Sequence, residues 1–270
     1  MKTAITLCRV HEAAAGPFVF HDDLATGFRK AAEHGFDAVE LFLPAPDAVP
    51  MGDIKALQDE HGLAVAAVGS GAGMVRHGLS LTDPSPDKRA AALEFIASMI
   101  DFGGQLGAPV ILGSMQGKHG GEVSRDQALA WLTEALREAG ARAAEHDVPF
   151  IYEPLNRYET NLFNHAAAAT DYLIAEDLGN IVLLADLFHM AIEERDIAAS
   201  LKAMGSKLGH VHWADSNRQA MGLGHTAYEP IFAALSELAY DGYLSAEVFP
   251  QPDADTAAAQ TIQSIRALRP

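Results

Sequence analysis

The sequence predicts a single (β/α)8 TIM barrel running over residues 1–270. Three observations carry that prediction. Short apolar runs recur eight times, each followed by an amphipathic stretch. The runs are apolar throughout rather than alternating, as strands covered on both faces are. A length of 270 residues also suits the roughly 250 of an eight-unit barrel. The rival architecture, an open doubly wound sheet, seldom needs eight units, and no G-x-G-x-x-G loop follows the first strand.

Taken in order, strands are expected at 4–7, 38–42, 64–68, 109–112, 149–153, 181–186, 208–213 and 243–248. The helix at 22–34 carries Leu24, Phe28 and Ala31 at helical spacing; that at 51–61 carries Ile54, Leu57 and Gln58. The helix at 85–106 opens with Ser85-Pro86, an N-cap followed by proline at the first helical position. Ser124 caps the next, 124–146, which carries Leu129, Leu132 and Leu136. Helices at 165–176, 193–204, 228–238 and 253–268 complete the set. Gly35, Gly62, Gly107, Gly179 and Gly242 stand where a left-handed residue ends a helix.

Lys and Arg number 19 against 36 Asp and Glu, a formal charge of −17. That balance repels phosphate backbones and anionic membranes, so neither nucleic acid nor a membrane is expected as a partner. Cys8 is the only cysteine, so no intrachain disulfide forms. No apolar run approaches the ~20 residues of a membrane span, and the first residues read as a buried strand rather than a leader. A cytoplasmic protein is the expectation.

In a barrel, chemistry gathers at the C-terminal ends of the strands. Four consecutive strands each deliver an ionisable residue there: Glu153, Asp186, His212 and Glu247, at intervals of 33, 26 and 35 residues. One such residue alone is readily a solvated rim group. Three carboxylates crowded on one rim repel unless something cationic sits among them. A divalent metal answers that, and three carboxylates with one imidazole suit Mn²⁺ first, with Mg²⁺ or Co²⁺ as alternatives. His210 and His212 lie two apart on one strand and point the same way. His212 is nearer the rim and is the expected ligand; His210 is expected one layer down as a buried, hydrogen-bonded partner.

The segments Glu153-Pro154-Leu155-Asn156-Arg157-Tyr158-Glu159, Asp186-Leu187-Phe188-His189-Met190-Ala191-Ile192-Glu193-Glu194, His210-Val211-His212-Trp213-Ala214-Asp215-Ser216-Asn217-Arg218 and Ala246-Glu247 carry a likeness. With them the chain resembles the sugar isomerase/epimerase branch of the xylose-isomerase-like barrels, which includes the D-tagatose 3-epimerase and hydroxypyruvate isomerase families. The resemblance implies that Glu153, Asp186, His212 and Glu247 bind one divalent metal. It implies that Glu153 and Glu247 double as the acid/base pair, and that Glu159, His189 and Arg218 hold substrate oxygens. Two positions depart from the family pattern. Leu187 replaces a threonine, and Ala220-Met221 precedes Gly222 where proline is common; both are expected beside the substrate loops.

The N-terminal half says less. Arg9 and His11 follow the first strand as rim residues, and Glu40 either pairs with His11 or faces substrate. The loop at 113–117 either lines a sugar pocket or is a plain connection. Gly69–Gly73 lacks the Gly-Lys-Ser/Thr of a phosphate loop. A base can remove the proton beside a ketone only if the enediolate is stabilised, for which a metal and two carboxylates suffice. The expectation is therefore an isomerase of a small ketose or hydroxy-keto compound, of the ketose 3-epimerase or aldose–ketose type, assembled as a dimer or tetramer. A metal-dependent dehydratase or decarboxylase is the nearest alternative; a multi-zinc endonuclease and a non-catalytic sugar-binding barrel stand further off.

Overall fold

The computed structural model describes residues 1–268. Eight parallel strands close on themselves in sequence order: β1 (Lys2–Cys8), β2 (Ala38–Phe42), β3 (Ala64–Gly69), β4 (Val110–Leu112), β5 (Phe150–Tyr152), β6 (Ile181–Asp186), β7 (Leu208–His212) and β8 (Tyr243–Ala246). The helices around them are α1 (Leu24–His34), α2 (Met51–His61), α3 (Ala72–His77), α4 (Pro86–Gln105), α5 (Arg125–Ala144), α6 (Ala166–Ala175), α7 (Leu187–Glu193), α8 (Ile197–Met204), α9 (Tyr228–Glu237) and α10 (Ala254–Arg266). This is the TIM barrel the sequence predicts.

Two layers of apolar side chains hold it. The large outer layer fills the space between strands and helices, with Phe28, Leu41, Ile54, Ile96, Leu136 and Trp213 fully buried. Each such side chain contributes roughly 1.5–3 kcal/mol by leaving water. Inside the barrel, Ala67, Ile111, Ile151 and Leu184 form a floor, with Ala4, Ala38 and Ala66 beneath it. That floor leaves the C-terminal rim as the place for charge.

Several local expectations need correction. Residues 187–204 form two helices, not one beginning at 193. Asp186 caps α7 and Asp196 caps α8, each accepting backbone N–H groups of the turn it starts. Read only as a strand end, Asp186 gives no hint of the cap. The six-residue α3 is absent from the sequence reading because Gly71-Ala72-Gly73 is a poor helix start. Ser124 caps α5 as expected, through Gln127 N at 3.1 Å, whereas the Ser85 side chain makes no cap bond. Gly35, Gly62 and Gly107 are left-handed, but before β6 and β8 that conformation falls on Asp177 and Ala239 rather than Gly179 and Gly242. Helices α6 and α9 end within one residue of the expected 176 and 238.

Candidate active site

Glu153 follows β5, its N–H bonded to Leu112 O at 3.0 Å, so the ladder with β4 fixes its backbone. Its carboxylate lies close to Gly113, where an added Cβ would meet Oε2 at 2.6 Å and push the carboxylate aside. Asp186 ends β6 and divides its two oxygens. Oδ1 caps α7 by accepting Phe188 N (2.9 Å) and His189 N (3.2 Å). Oδ2 is thereby turned to the cavity, 3.0 Å from His212 Nδ1. His212 ends β7, and its Nδ1 lies 3.3 Å from Glu247 Oε2 and 3.7 Å from Glu153 Oε1. The four predicted ligands therefore converge, with one donor atom from each within 4.8 Å of the others.

Arg218 reaches the same cluster, pairing with Asp186 Oδ2 at 2.6 Å and with Glu247, while stacking on Phe188. The loop that carries it is organised by Asp215, whose carboxylate accepts four backbone N–H groups, from Ser216, Gly222, Gly224 and Thr226. Arg218 N bonds Asp215 O at 2.8 Å, and Arg218 itself is left-handed at φ 61°. His189, on α7, receives the Asn156 side chain on Nδ1 at 2.7 Å. Its Nε2 then faces Glu153 Oε1 at 3.8 Å. An amide flip would exchange donor for acceptor, but Asn156 Oδ1 is already held by Tyr158 N. Glu159 is half-exposed at the cavity edge, bonded to Asn156 Nδ2 at 3.1 Å.

Electrostatics follow from this crowding. Burial pushes the Glu153 carboxyl well above the ordinary range, and the neighbouring Glu247 and Asp186 charges add to it despite His212. Burial works against ionising Asp186 too, but Arg218, His189 and His212 overcome it and hold that carboxyl low. For His212, burial is outweighed by Glu247 and Glu40, which raise the imidazole. Burial lowers His189. The Asp215 carboxyl, against the pull of burial, is brought to about 2 by its backbone donors.

Above the cluster lies a cavity of about 370 Å³, small among ligand pockets of roughly 300–1,000 Å³. Phe18, Phe42, Val75 and Leu155 give it apolar walls, and Ser70 and Ser114 add hydroxyls. Thus the 113–117 loop does line the pocket through Gly113 and Ser114. Arg9 turns away to the carbonyls of His21 and Asp22, and His11 is exposed. Glu40 pairs with His210 and His212, not His11. His210 is the buried second-layer partner expected of it. Leu187, Ala220 and Met221 point into the core, so the two departures from the family pattern do not reach the cavity.

Asn156, Asp215, Arg157 and Glu193 belong to the motifs but have no role legible from sequence alone. Arg157 pairs with Glu193 at 2.8 Å, tying the turn after β5 to α7. Glu194 caps α6 through Ala166 N at 2.7 Å. The signal was the sharpness of the motifs: several of their polar residues position others.

Comparison with known proteins places the fold in a family. Residues 28–269 match the family described as Xylose isomerase-like TIM barrel. A D-psicose 3-epimerase of Ruminiclostridium cellulolyticum is 30% identical over 82% of this chain and 76% of its own. An L-ribulose 3-epimerase of Methylomonas sp. is 30% identical over 88% of this chain and 84% of its own. Among solved structures, a D-allulose 3-epimerase from Methylomonas sp. superposes with a TM-score of 0.81 at 25% identity, covering 100% of this chain and 99% of that one. The chain belongs to the Xylose isomerase-like TIM barrel family and, within it, to the isomerase-type enzymes.

Proposed function

We propose that the chain is a divalent-metal-dependent ketose 3-epimerase working through an enediolate, with Glu153 and Glu247 as its acid/base pair. The observation that carries this reading is the convergence of three carboxylate oxygens and one imidazole nitrogen within 4.8 Å. That donor set fits a hard divalent cation, Mn²⁺ first, with Mg²⁺ or Co²⁺ as alternatives. When bound, such a cation supplies the Lewis-acid charge an enediolate needs.

The protein's own groups do the rest. Glu153 and Glu247 come from β5 and β8, with Asp186 and His212 on the two strands between. The two glutamates therefore approach a substrate carbon from opposite sides. One takes the proton from C3 of the ketose, and the other returns a proton to the other face, inverting that carbon. His189 presents Nε2 on the Glu153 side, where it can hold a substrate oxygen. Arg218 and Glu159 receive sugar hydroxyls, and the Phe18 and Phe42 wall excludes water.

The small cavity, with Glu12 and Glu159 at its lining, favours an uncharged ketopentose or ketohexose. Named relatives act on sugars of that kind. The test is incubation of Mn²⁺-loaded protein with a panel of free ketoses, with products separated by chromatography. The reading requires interconversion of at least one C3-epimeric pair. Loss of water or carbon dioxide from the substrate, without epimer formation, would assign the site to a lyase instead.

A further inference from the structure

Glu40 sits on β2 opposite Thr6 of β1 and Ala67 of β3, and it points into the barrel. It is 4% exposed, just above the apolar floor of Ala67, Ile111, Ile151 and Leu184. A carboxylate buried there without partners costs several kcal/mol. Among the described residues no lysine or arginine pairs with it. Its partners are two imidazoles: Oε2 lies 2.8 Å from His210 Nε2, and Oε1 lies 3.1 Å from His212 Nε2. Both histidines pull its carboxyl well below the ordinary range, against the effect of burial.

Two irregularities in the sheet bring these groups together. The register between β2 and β3 slips at Val39/Glu40, and that between β6 and β7 slips at Leu183/Leu184, opposite His210. Bulges next to a site re-aim side chains. Here they fall on the strands bearing Glu40 and His210.

We infer that Glu40 is a positioning residue for the metal centre: it takes the Nε2–H of His212 and so presents Nδ1 to the cation. This rests on the reading that Glu153, Asp186, His212 and Glu247 hold a divalent ion. A carboxylate can only accept, so His212 must donate from Nε2. The nitrogen left for a cation is then Nδ1, which faces Asp186, Glu247 and Glu153 and gives up its own proton when the ion binds. His210 plays the third part. By holding the second oxygen of Glu40 it fixes the carboxylate plane, which a single contact would leave free to turn. A carboxylate behind a metal-bound imidazole also raises the basicity of the ligand, and its removal costs about 10–100-fold in metal affinity. Glu40 also lines the floor of the cavity, but its positioning role is exerted through His212.

Two measurements test this. In the wild-type protein labelled with ¹⁵N-histidine and loaded with ¹¹³Cd²⁺, scalar coupling identifies the bonded nitrogen. Coupling to Nδ1 of His212 with a proton on Nε2 is expected; coupling to Nε2 overturns the inference. In Glu40→Gln, circular dichroism first establishes the fold, and Mn²⁺ titration followed by the electron paramagnetic resonance of the free ion gives the affinity. A dissociation constant weakened about tenfold or more is expected. A folded variant binding Mn²⁺ within twofold of wild type overturns the positioning role alone. A wild-type chain that takes up no divalent cation overturns the metal reading and this inference with it. The coupling measurement needs no variant, so it decides even if Glu40→Gln does not fold.

Discussion

The two halves of the barrel contribute different things to one cavity. Asp186 and His212 end β6 and β7, and Glu153 and Glu247 directly follow β5 and β8, all at the charge cluster. Strands β1 to β4 supply the wall, from Phe18 and Phe42 to Ser70, Gly71 and Ser114. Glu40 is the exception: a charge from the first half that serves the second from beneath. Groups that hold an ion and move protons must be fixed to a few tenths of an ångström, and strand ends and helix caps fix them. A wall needs only shape. This division explains why the second half carries sharp motifs while the first reads as ordinary barrel.

The largest effect expected from breaking this comparison is loss of the ion. Dialysis against EDTA should abolish turnover, and Mn²⁺ or Co²⁺ should restore it. Full activity in verified metal-free protein would falsify the role given to the second half. Next come the two glutamates. Glu153→Gln and Glu247→Gln should each lower kcat by about 10²–10⁴-fold, the range of a lost acid or base. Each should still exchange deuterium into one epimer from its surviving face, and the two variants should differ in which. Near-wild-type turnover of either, with metal bound, contradicts the two-base scheme.

A third prediction concerns pH. In the metal-free protein the raised His212 and Glu153 favour their protonated forms. An ion at Nδ1 must displace that proton, so affinity falls as pH drops from above the ordinary imidazole value near ~6.5. Calorimetry in buffers of different ionisation enthalpy should show about one proton or more released per ion at pH near ~7. Binding with no proton release removes His212 from the ligand set.

The loop bearing Arg218 gives a smaller effect, on stability. Asp215→Asn places an amide among four backbone donors and should cost about 2–3 kcal/mol of unfolding free energy. The Asp215 carboxyl lies below its ordinary value, so its contribution is complete above about pH 4 and fades as pH falls toward about 2. The variant should accordingly show a flatter acid limb in thermal melts. Equal slopes would mean the carboxylate does not organise the loop. Least of all, Phe18→Ala should raise KM several-fold with metal affinity unchanged, because the wall does not touch the ion. A matched fall in metal affinity would erase the distinction between the halves.

Much of this was legible from the sequence. All eight strands were, because their runs are apolar through their length. The convergence of Glu153, Asp186, His212 and Glu247 followed from one ionisable residue per strand end. What escaped, His210 apart, were the residues that act through another. Asn156 orients His189, Asp215 gathers a loop, and Glu40 reaches His212 across 172 positions of sequence. Spacing carries no sign of such pairs, since they depend on barrel closure and on two slips in register. The left-handed positions Asp177 and Ala239 escaped for a simpler reason: residue type favours glycine there, and the chain uses another residue.

Enolisation of a ketose at the four-residue centre, with two glutamates returning the proton, underlies the proposed function. It is tested most directly by incubating Mn²⁺-loaded wild-type protein with free ketoses in D₂O and reading C3 by NMR. Deuterium is expected to enter C3 of both epimers of at least one sugar, and EDTA to abolish the exchange. Epimers that interconvert with C3 still carrying its original hydrogen, or exchange that survives complete removal of metal, would contradict it.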